Sequence, residues 1–331
     1  MVSPRCVQVA IAAIALSLAS AAIGQVPAPG QAHLYPSKPV RLVVPFPPGG
    51  PADIIARTVG AKLGDALRQP FVIDSRGGAN GNLGAELVAR AAADGHTLLL
   101  VPSALAANRS LYANLSYSLR KDFSGVAGLA VFPLLLVTHP SVQATSVREL
   151  ITLARQSPGT LNFASAGSGG GAHLAAETFR IATGIEVVHV PYKGTGPAVA
   201  GILGGQVAFM FASIPSVIGH LRAGKLNALA ISSARRSDAL PSIPSVSEAG
   251  LPGYELVSWF GLAAPAGTPQ DVVTLLSSEV ARVLRDAEFL ERLKAAGGDP
   301  LPMSARDFDA FIDTELVRWS RIIRETGAKL E

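Results

Sequence analysis

Two stretches of the chain combine residue types that could hold an anion. The first is Pro45-Phe46-Pro47-Pro48-Gly49-Gly50-Pro51-Ala52-Asp53, which follows the apolar run Val40-Arg41-Leu42-Val43-Val44. A valine-rich run reads as a buried strand, and the Pro/Gly cluster after it forces a turn. Gly50 suits a helix N-cap. Pro51 suits the first helical position, and Asp53 the first turn, where a carboxylate meets the positive helix end. A helix entered this way leaves backbone N–H groups pointing into a crevice, which suits an anion. No Gly-Lys-Ser/Thr follows and the G-x-G-x-x-G spacing is absent, so the pattern favours a carboxylate over a nucleotide phosphate.

The second stretch, Ala164-Ser165-Ala166-Gly167-Ser168-Gly169-Gly170-Gly171, also lies between an apolar run and a helical pattern, and is a second candidate anion seat. His173 falls in the first turn of the helix that follows. A third polar loop, Pro191-Tyr192-Lys193-Gly194-Thr195-Gly196, offers an aromatic face, an ammonium and free amides. All three loops also have a plainer reading as ordinary connections and surface turns.

Other chemistries find little support. Ser168 lacks the glycine two residues before it that a nucleophile elbow needs, because Ala166 stands there. The six histidines, His33, His96, His139, His173, His189 and His220, are scattered without metal-ligand spacing, so no metal is expected. Cys6 is the only cysteine, so a chain cleaved after residue 24 would have no disulfide and no thiolate chemistry. Net charge is +4 with a pI near 9.4, but no basic run exceeds Arg235-Arg236, which argues against a nucleic-acid partner.

The elements that must position these loops can be read in order. Ile55, Val59, Leu63 and Leu67, four apart, give the first helix one apolar stripe. Strands are predicted at 71–73 and 97–101, with a helix over 83–93 between them. This β-α-β-α-β series implies a parallel, doubly wound sheet whose loops face one cleft. Residues 129–137 read as one or two buried strands, and Ser146-Val147-Arg148-Glu149 as a capping box. A second α/β series runs over 161–232, with strands at 161–164, 187–190, 207–211 and 226–232. After an apolar extended stretch at 254–264, helices are predicted from Thr268-Pro269 to 285, over 287–296 and from Ser304 to 326, with no strand beside them. Trp259 and Phe260 read as core or hinge packing.

Before all this, residues 1–24 carry Arg5, an apolar stretch and small residues at Ala22 and Gly24. That is the layout of a secretory signal peptide, cleaved near Ala21 or Gly24.

Five segments are specific enough to carry a resemblance: YPSKPVRLVVPFPPGGPADIIAR, NFASAGSGGGAHLAAE, VVHVPYKGTGPAVAGILGGQV, AGKLNALAISSARRSDALPSIPSVSEAGLPGYE and WFGLAAPAGTP. Together they resemble the Bug family, the periplasmic substrate-binding proteins of tripartite tricarboxylate transport. The resemblance implies an α/β fold of the two-lobe, type II periplasmic-binding-protein kind, each lobe a doubly wound sheet flanked by helices. It places lobe 1 at 34–131 plus 257–331 and lobe 2 at 132–256. It further implies a small carboxylate ligand held between the lobes, permease subunits of a tripartite tricarboxylate transporter or a sensor as partner, a periplasmic location, a monomer, no cofactor and no catalysis.

Carried over by position, the ligand-binding residues would be Phe46, Gly49, Gly50, Asp53, Ser103, Ser165, Ala166, Gly167, Tyr192 and Lys193, with His173 added from the reading above. Two departures from the family pattern stand out. Pro51-Ala52 removes an amide donor and a hydroxyl from the first loop. Ala212 stands where an aspartate could face a ligand amine, which argues against an amino-acid ligand. The apolar stretch 102–109 suggests a ligand with a hydrocarbon or aromatic body. The rival reading is a secreted serine hydrolase using Ser168.

Overall fold

The structure, a computed structural model, describes residues 35–168 and 170–327. The predicted signal segment lies outside these residues. The elements described below belong to one compact unit, Lys38–Glu331.

The chain opens with β1 (Val40–Val44), α1 (Pro51–Leu67), β2 (Phe71–Ser75), a single 3₁₀ turn (Ala79–Gly81), α2 (Asn82–Ala89), β3 (Thr97–Pro102) and α3 (Ser103–Leu111). The predicted stripe seats α1: Ile55, Val59 and Leu63 are fully buried, each such burial stabilising by roughly 1.5–3 kcal/mol. Strands β2, β1 and β3 pair in parallel, as the alternating pattern requires. Helix α2 stops at Ala89, four residues before the predicted end at 93.

The long strand β4 (Phe123–Thr138) organises the rest. Its first part pairs antiparallel with β9 (Val257–Pro265) and with β10 (Asp299–Met303), and its last residues with β7 (Phe209–Ser213) and β8 (Asn227–Ile231). A first sheet, β2-β1-β3-β9-β4, and a second, β4-β7-β5-β6, therefore share this one strand. The sheets are mixed, where the sequence pattern implied parallel pairing alone. In the second sheet, β5 (Asn162–Ser165) is parallel to β6 (Val188–Pro191) and to β7.

Helices α4 (Val147–Gln156), α5 (Gly171–Thr183), α6 (Thr195–Leu203) and α7 (Ile214–Arg222) flank the second sheet, and α8 (Gln270–Val283), α9 (Ala287–Ala295) and α10 (Ala305–Thr326) follow β9. The Ser146 hydroxyl caps α4 by accepting the Glu149 amide at 3.2 Å, and Glu149 reaches back to the Thr145 amide at 2.7 Å. Thr268 caps nothing: its hydroxyl donates to the Pro265 carbonyl, and α8 begins after Pro269.

Strand β10 corrects the expectation that no strand accompanies the C-terminal helices. Helix α10 docks on the first sheet because Gly261 has no side chain: a Cβ there would lie 2.0 Å from Phe308 Cζ. Below that contact, the buried Glu315 carboxylate takes the indole N–H groups of Trp259 at 2.6 Å and Trp319 at 3.1 Å and the Arg318 guanidinium at 2.9 Å. Trp259 is thus a core residue, as its sequence context suggested.

Where β4 passes from one sheet to the other, Ser232 ties the crossing strands together. Its amide donates to the Leu134 carbonyl and its carbonyl accepts the Leu256 amide. Its hydroxyl accepts the Leu134 amide at 2.8 Å and donates to the Leu256 carbonyl at 2.5 Å.

Candidate functional site

The first loop delivers its chain into α1 as the sequence predicts, with Gly50 as N-cap, Pro51 opening the helix and Asp53 in its first turn. Asp53 is buried, and its carboxylate accepts the Gly49 amide at 3.1 Å. Arg57, one turn on, brackets both carboxylate oxygens at 2.9 and 3.0 Å. Bonding to the Arg57 guanidinium, aided by the Gly49 amide and opposed by burial, holds the Asp53 carboxyl below its ordinary range. Asp53 therefore stays ionised, with its charge spent inside the loop.

Gly49 adopts φ +92°, which glycine enters without strain. Its amide goes to Asp53, so it shapes the loop. The Asp53 and Ile54 amides turn back to the Gly50 carbonyl, which leaves the amides of Gly50 and Ala52 as the orphan donors of the helix entrance. A Cβ on Gly50 would meet no atom within 4 Å. The space on the side-chain side of Gly50 is open.

Phe46 is half-buried behind the loop and Ser103 is buried in the first turn of α3. The stretch around Ser103 packs inward: Leu105 and Ala106 are core residues, and Leu105 comes within 3.2 Å of where a Gly81 Cβ would be. Its apolar character therefore serves the core and not a ligand. Nearby, Asn108 holds the preceding loop through Asn80 and Asn82, and Tyr117 completes the network by donating to Asn82 at 2.7 Å.

In the second loop, Ser165 lies fully buried at the end of β5. Its hydroxyl is surrounded by the Gly167 carbonyl at 3.0 Å, the Gly167 amide at 3.2 Å and His189 Nε2 at 2.7 Å. It braces the loop. His189 stacks on Phe163, 4.8 Å away, and on His173, 4.1 Å away, and those two rings also stack at 6.3 Å. Burial, reinforced by the neighbouring His173, pushes His189 down to about 4, and burial also lowers His173. Both imidazoles are neutral at pH 7 and support the loop from beneath. Ser168, by contrast, is exposed. In this loop the serine that meets a histidine is Ser165, and it is sealed from solvent.

The third loop is pinned to the second by two backbone bonds, Tyr192 amide to Ser165 carbonyl and Gly194 amide to Ala166 carbonyl, both at 3.0 Å. The Tyr192 side chain lies over Gly201 of α6, where a Cβ would come within 2.3 Å of its hydroxyl, and donates to Gln206 at 3.2 Å. The ring is half-buried against α6. Ala166 and Lys193 remain exposed. Ala212 is buried in the core behind β7, so its neighbour Ser213, at the strand's end, is the residue that reaches the cleft.

What the sequence reading missed is the floor of the cleft. A cavity of about 520 Å³ reaches from Pro51 and Ile54 at the α1 entrance to Ser213 and Pro215 at the start of α7, over Phe132, Ser258 and Phe260 on the crossing strands. A Cβ on Gly171, the first residue of α5, would lie 3.9 Å from the Ser258 hydroxyl. Ser258 thus borders the α5 entrance and lines the same cavity as the α1 entrance. Only the apolar extended stretch at 254–264 signalled this floor in the sequence. Among the described residues no group of three or more His, Cys, Asp or Glu side chains could hold a metal ion, and no helix is long and apolar enough to cross a membrane.

Two sheets sharing one strand are the fold of solved relatives such as the periplasmic binding protein BugD, 31% identical with a TM-score of 0.69 over 90% of this chain and 100% of that one. The family model described as "Tripartite tricarboxylate transporter family receptor" matches residues 55–328, and the chain belongs to that family. Protein BugT of Bordetella pertussis is 39% identical over 97% of this chain and 98% of its own length. Among solved structures, R. palustris Rpa4515 with adipate is 37% identical with a TM-score of 0.72, covering 89% of this chain and 100% of that one. MatC from Rhodopseudomonas palustris with bound malate is 33% identical with a TM-score of 0.68, covering 87% and 100%.

Proposed function

We propose that this protein captures a small carboxylate in the periplasm, as a monomer, and passes it to the permease subunits of a tripartite tricarboxylate transporter. The observation that carries this reading is the place of Ser258, which borders the α5 entrance and shares a cavity with the α1 entrance. Two helix N-termini aimed at one cleft supply orphan amides and positive dipole ends, which together stabilise a carboxylate removed from water. Of the residues carried over, Gly50, Ala166 and Gly167 border the ligand. Asp53, Ser165 and His173 hold the loops in place. The two solved relatives named above carry adipate and malate, both carboxylates.

Lobe 1 comprises 34–131 with 257–331, and lobe 2 comprises 132–256. Each supplies one side of the seat, so ligand binding draws them together about the crossing strands. No step of chemistry is assigned to the protein: in the cleft loops the serine that meets a histidine, Ser165 with His189, is buried. A thermal-shift screen over dicarboxylates, aromatic acids and amino acids tests the reading. A carboxylate at about 100 times its Kd should add roughly 2.7 kcal/mol of stability. Turnover of an ester or amide, abolished by Ser168→Ala, would contradict it.

A further inference from the structure

The cleft floor is an apolar chamber. No charged residue lines the 520 Å³ cavity, a size within the range of about 300–1,000 Å³ usual for small-molecule sites. Its wall includes Ile54, Phe132, Phe260 and Pro215, and the hydroxyl groups come from Ser213 and Ser258. The nearest side-chain charges on the first loop, Asp53 and Arg57, neutralise each other. The wall also closes across the cleft: a Cβ on Gly297, after α9, would lie 2.6 Å from Pro215 Cδ of α7. This is a direct contact between the first-sheet and second-sheet sides.

The seat proposed above is for one carboxylate, and no cation lines the chamber beside it to meet another. Resting on the function proposed above, we infer that the chamber takes the rest of the ligand and selects a monocarboxylate with an apolar alkyl or aryl body. A second carboxylate would be desolvated there without a partner, which costs heavily. An ammonium group would meet the same penalty. The selectivity therefore differs from that of the relatives that hold adipate and malate.

Calorimetric titration with hexanoate, phenylacetate, adipate and malate tests this. Hexanoate and phenylacetate should bind at least about tenfold more tightly than either diacid, the ratio set by one unpaired buried carboxylate. Ile54, 39% exposed on the chamber wall, can be replaced without disturbing the core. Ile54→Lys should raise adipate affinity at least about fivefold and lower that of hexanoate. Ala295→Lys, from another part of the wall, should act in the same direction. Adipate binding as tightly as hexanoate in the wild type, or unchanged preference in both lysine variants, would overturn the inference. If Gly50→Val still abolished that adipate binding, the carboxylate seat would stand and only the chamber's role would fall. Tight hexanoate binding that survives Gly50→Val would remove the seat instead, and no binding of any of the four acids would overturn both.

Discussion

The Asp53 carboxylate accepts the Gly49 amide at 3.1 Å from within the first turn of α1. An acidic residue thus stands beside an anion seat without opposing it, because Arg57 cancels its charge and its oxygens are used to orient the loop. Asp53→Ala should cost about 1 kcal/mol of stability, the value of a lost helix-entrance bond. It should also weaken ligand binding at least about fivefold by freeing the loop. Calorimetry beside thermal unfolding separates the two effects, and an affinity loss no larger than the stability loss would reduce Asp53 to a plain cap.

Acid should loosen the second loop before it affects the first. His189 is held down to about 4 against an ordinary 6.5, so the unfolded chain binds more protons between those values. Stability is then fully present above about pH 6.5 and is lost as pH falls toward 4. Melting temperatures from pH 4.5 to 8 should show this slope, and His189→Gln should flatten it. An equal slope in the variant would place the titration elsewhere.

Ser232 joins Leu134 and Leu256 by four hydrogen bonds at the crossing of the strands. Ser232→Ala leaves the Leu134 amide and the Leu256 carbonyl without their side-chain partner, at a cost of about 1–3 kcal/mol. If the crossing is the hinge, the variant should also change the scattering radius difference between free and ligand-saturated protein. An unaltered difference would move the hinge away from Ser232.

Gly297 offers a way to wedge the lobes apart. At φ +78°, with Pro215 Cδ 2.6 Å from a built Cβ, Gly297→Val adds bulk where the two sides touch. Affinity should fall at least about tenfold, with a larger scattering radius in the presence of ligand. Wild-type affinity and radius would show that closure does not use this contact.

Much of the fold could be read because apolar runs end in Pro and Gly. The passage from β1 through Gly50-Pro51 into α1 has a local cause at every position. Strand β4 was blurred because Gly125, Gly128 and Pro133 interrupt its pattern and because it changes partners along its length. Strand β10 was hidden by Pro300 and Pro302, which lack ladder donors, and its register against β4 is irregular. The site was legible in its loops and illegible in its floor. Side-chain direction decided Tyr192 and Ala212, and neither the packing of Tyr192 on Gly201 nor the burial of Ala212 is written in local sequence. Residues 102–109 pack mainly in the core, and the apolar cavity wall comes instead from residues such as Phe132, Phe260 and Pro215, which are far apart in the chain.

The central claim is that backbone at two helix entrances holds the carboxylate. Gly50 tests it most directly, because its φ of −90° suits any residue and nothing lies within 4 Å of a built Cβ. Gly50→Val should keep its circular dichroism spectrum and melt close to the wild type while filling the open space on the side-chain side of this position. Titrated calorimetrically with whichever of hexanoate, phenylacetate, adipate and malate binds the wild type most tightly, it should show at least about a hundredfold loss of affinity. Wild-type affinity in a folded Gly50→Val protein would contradict the account and place the ligand elsewhere.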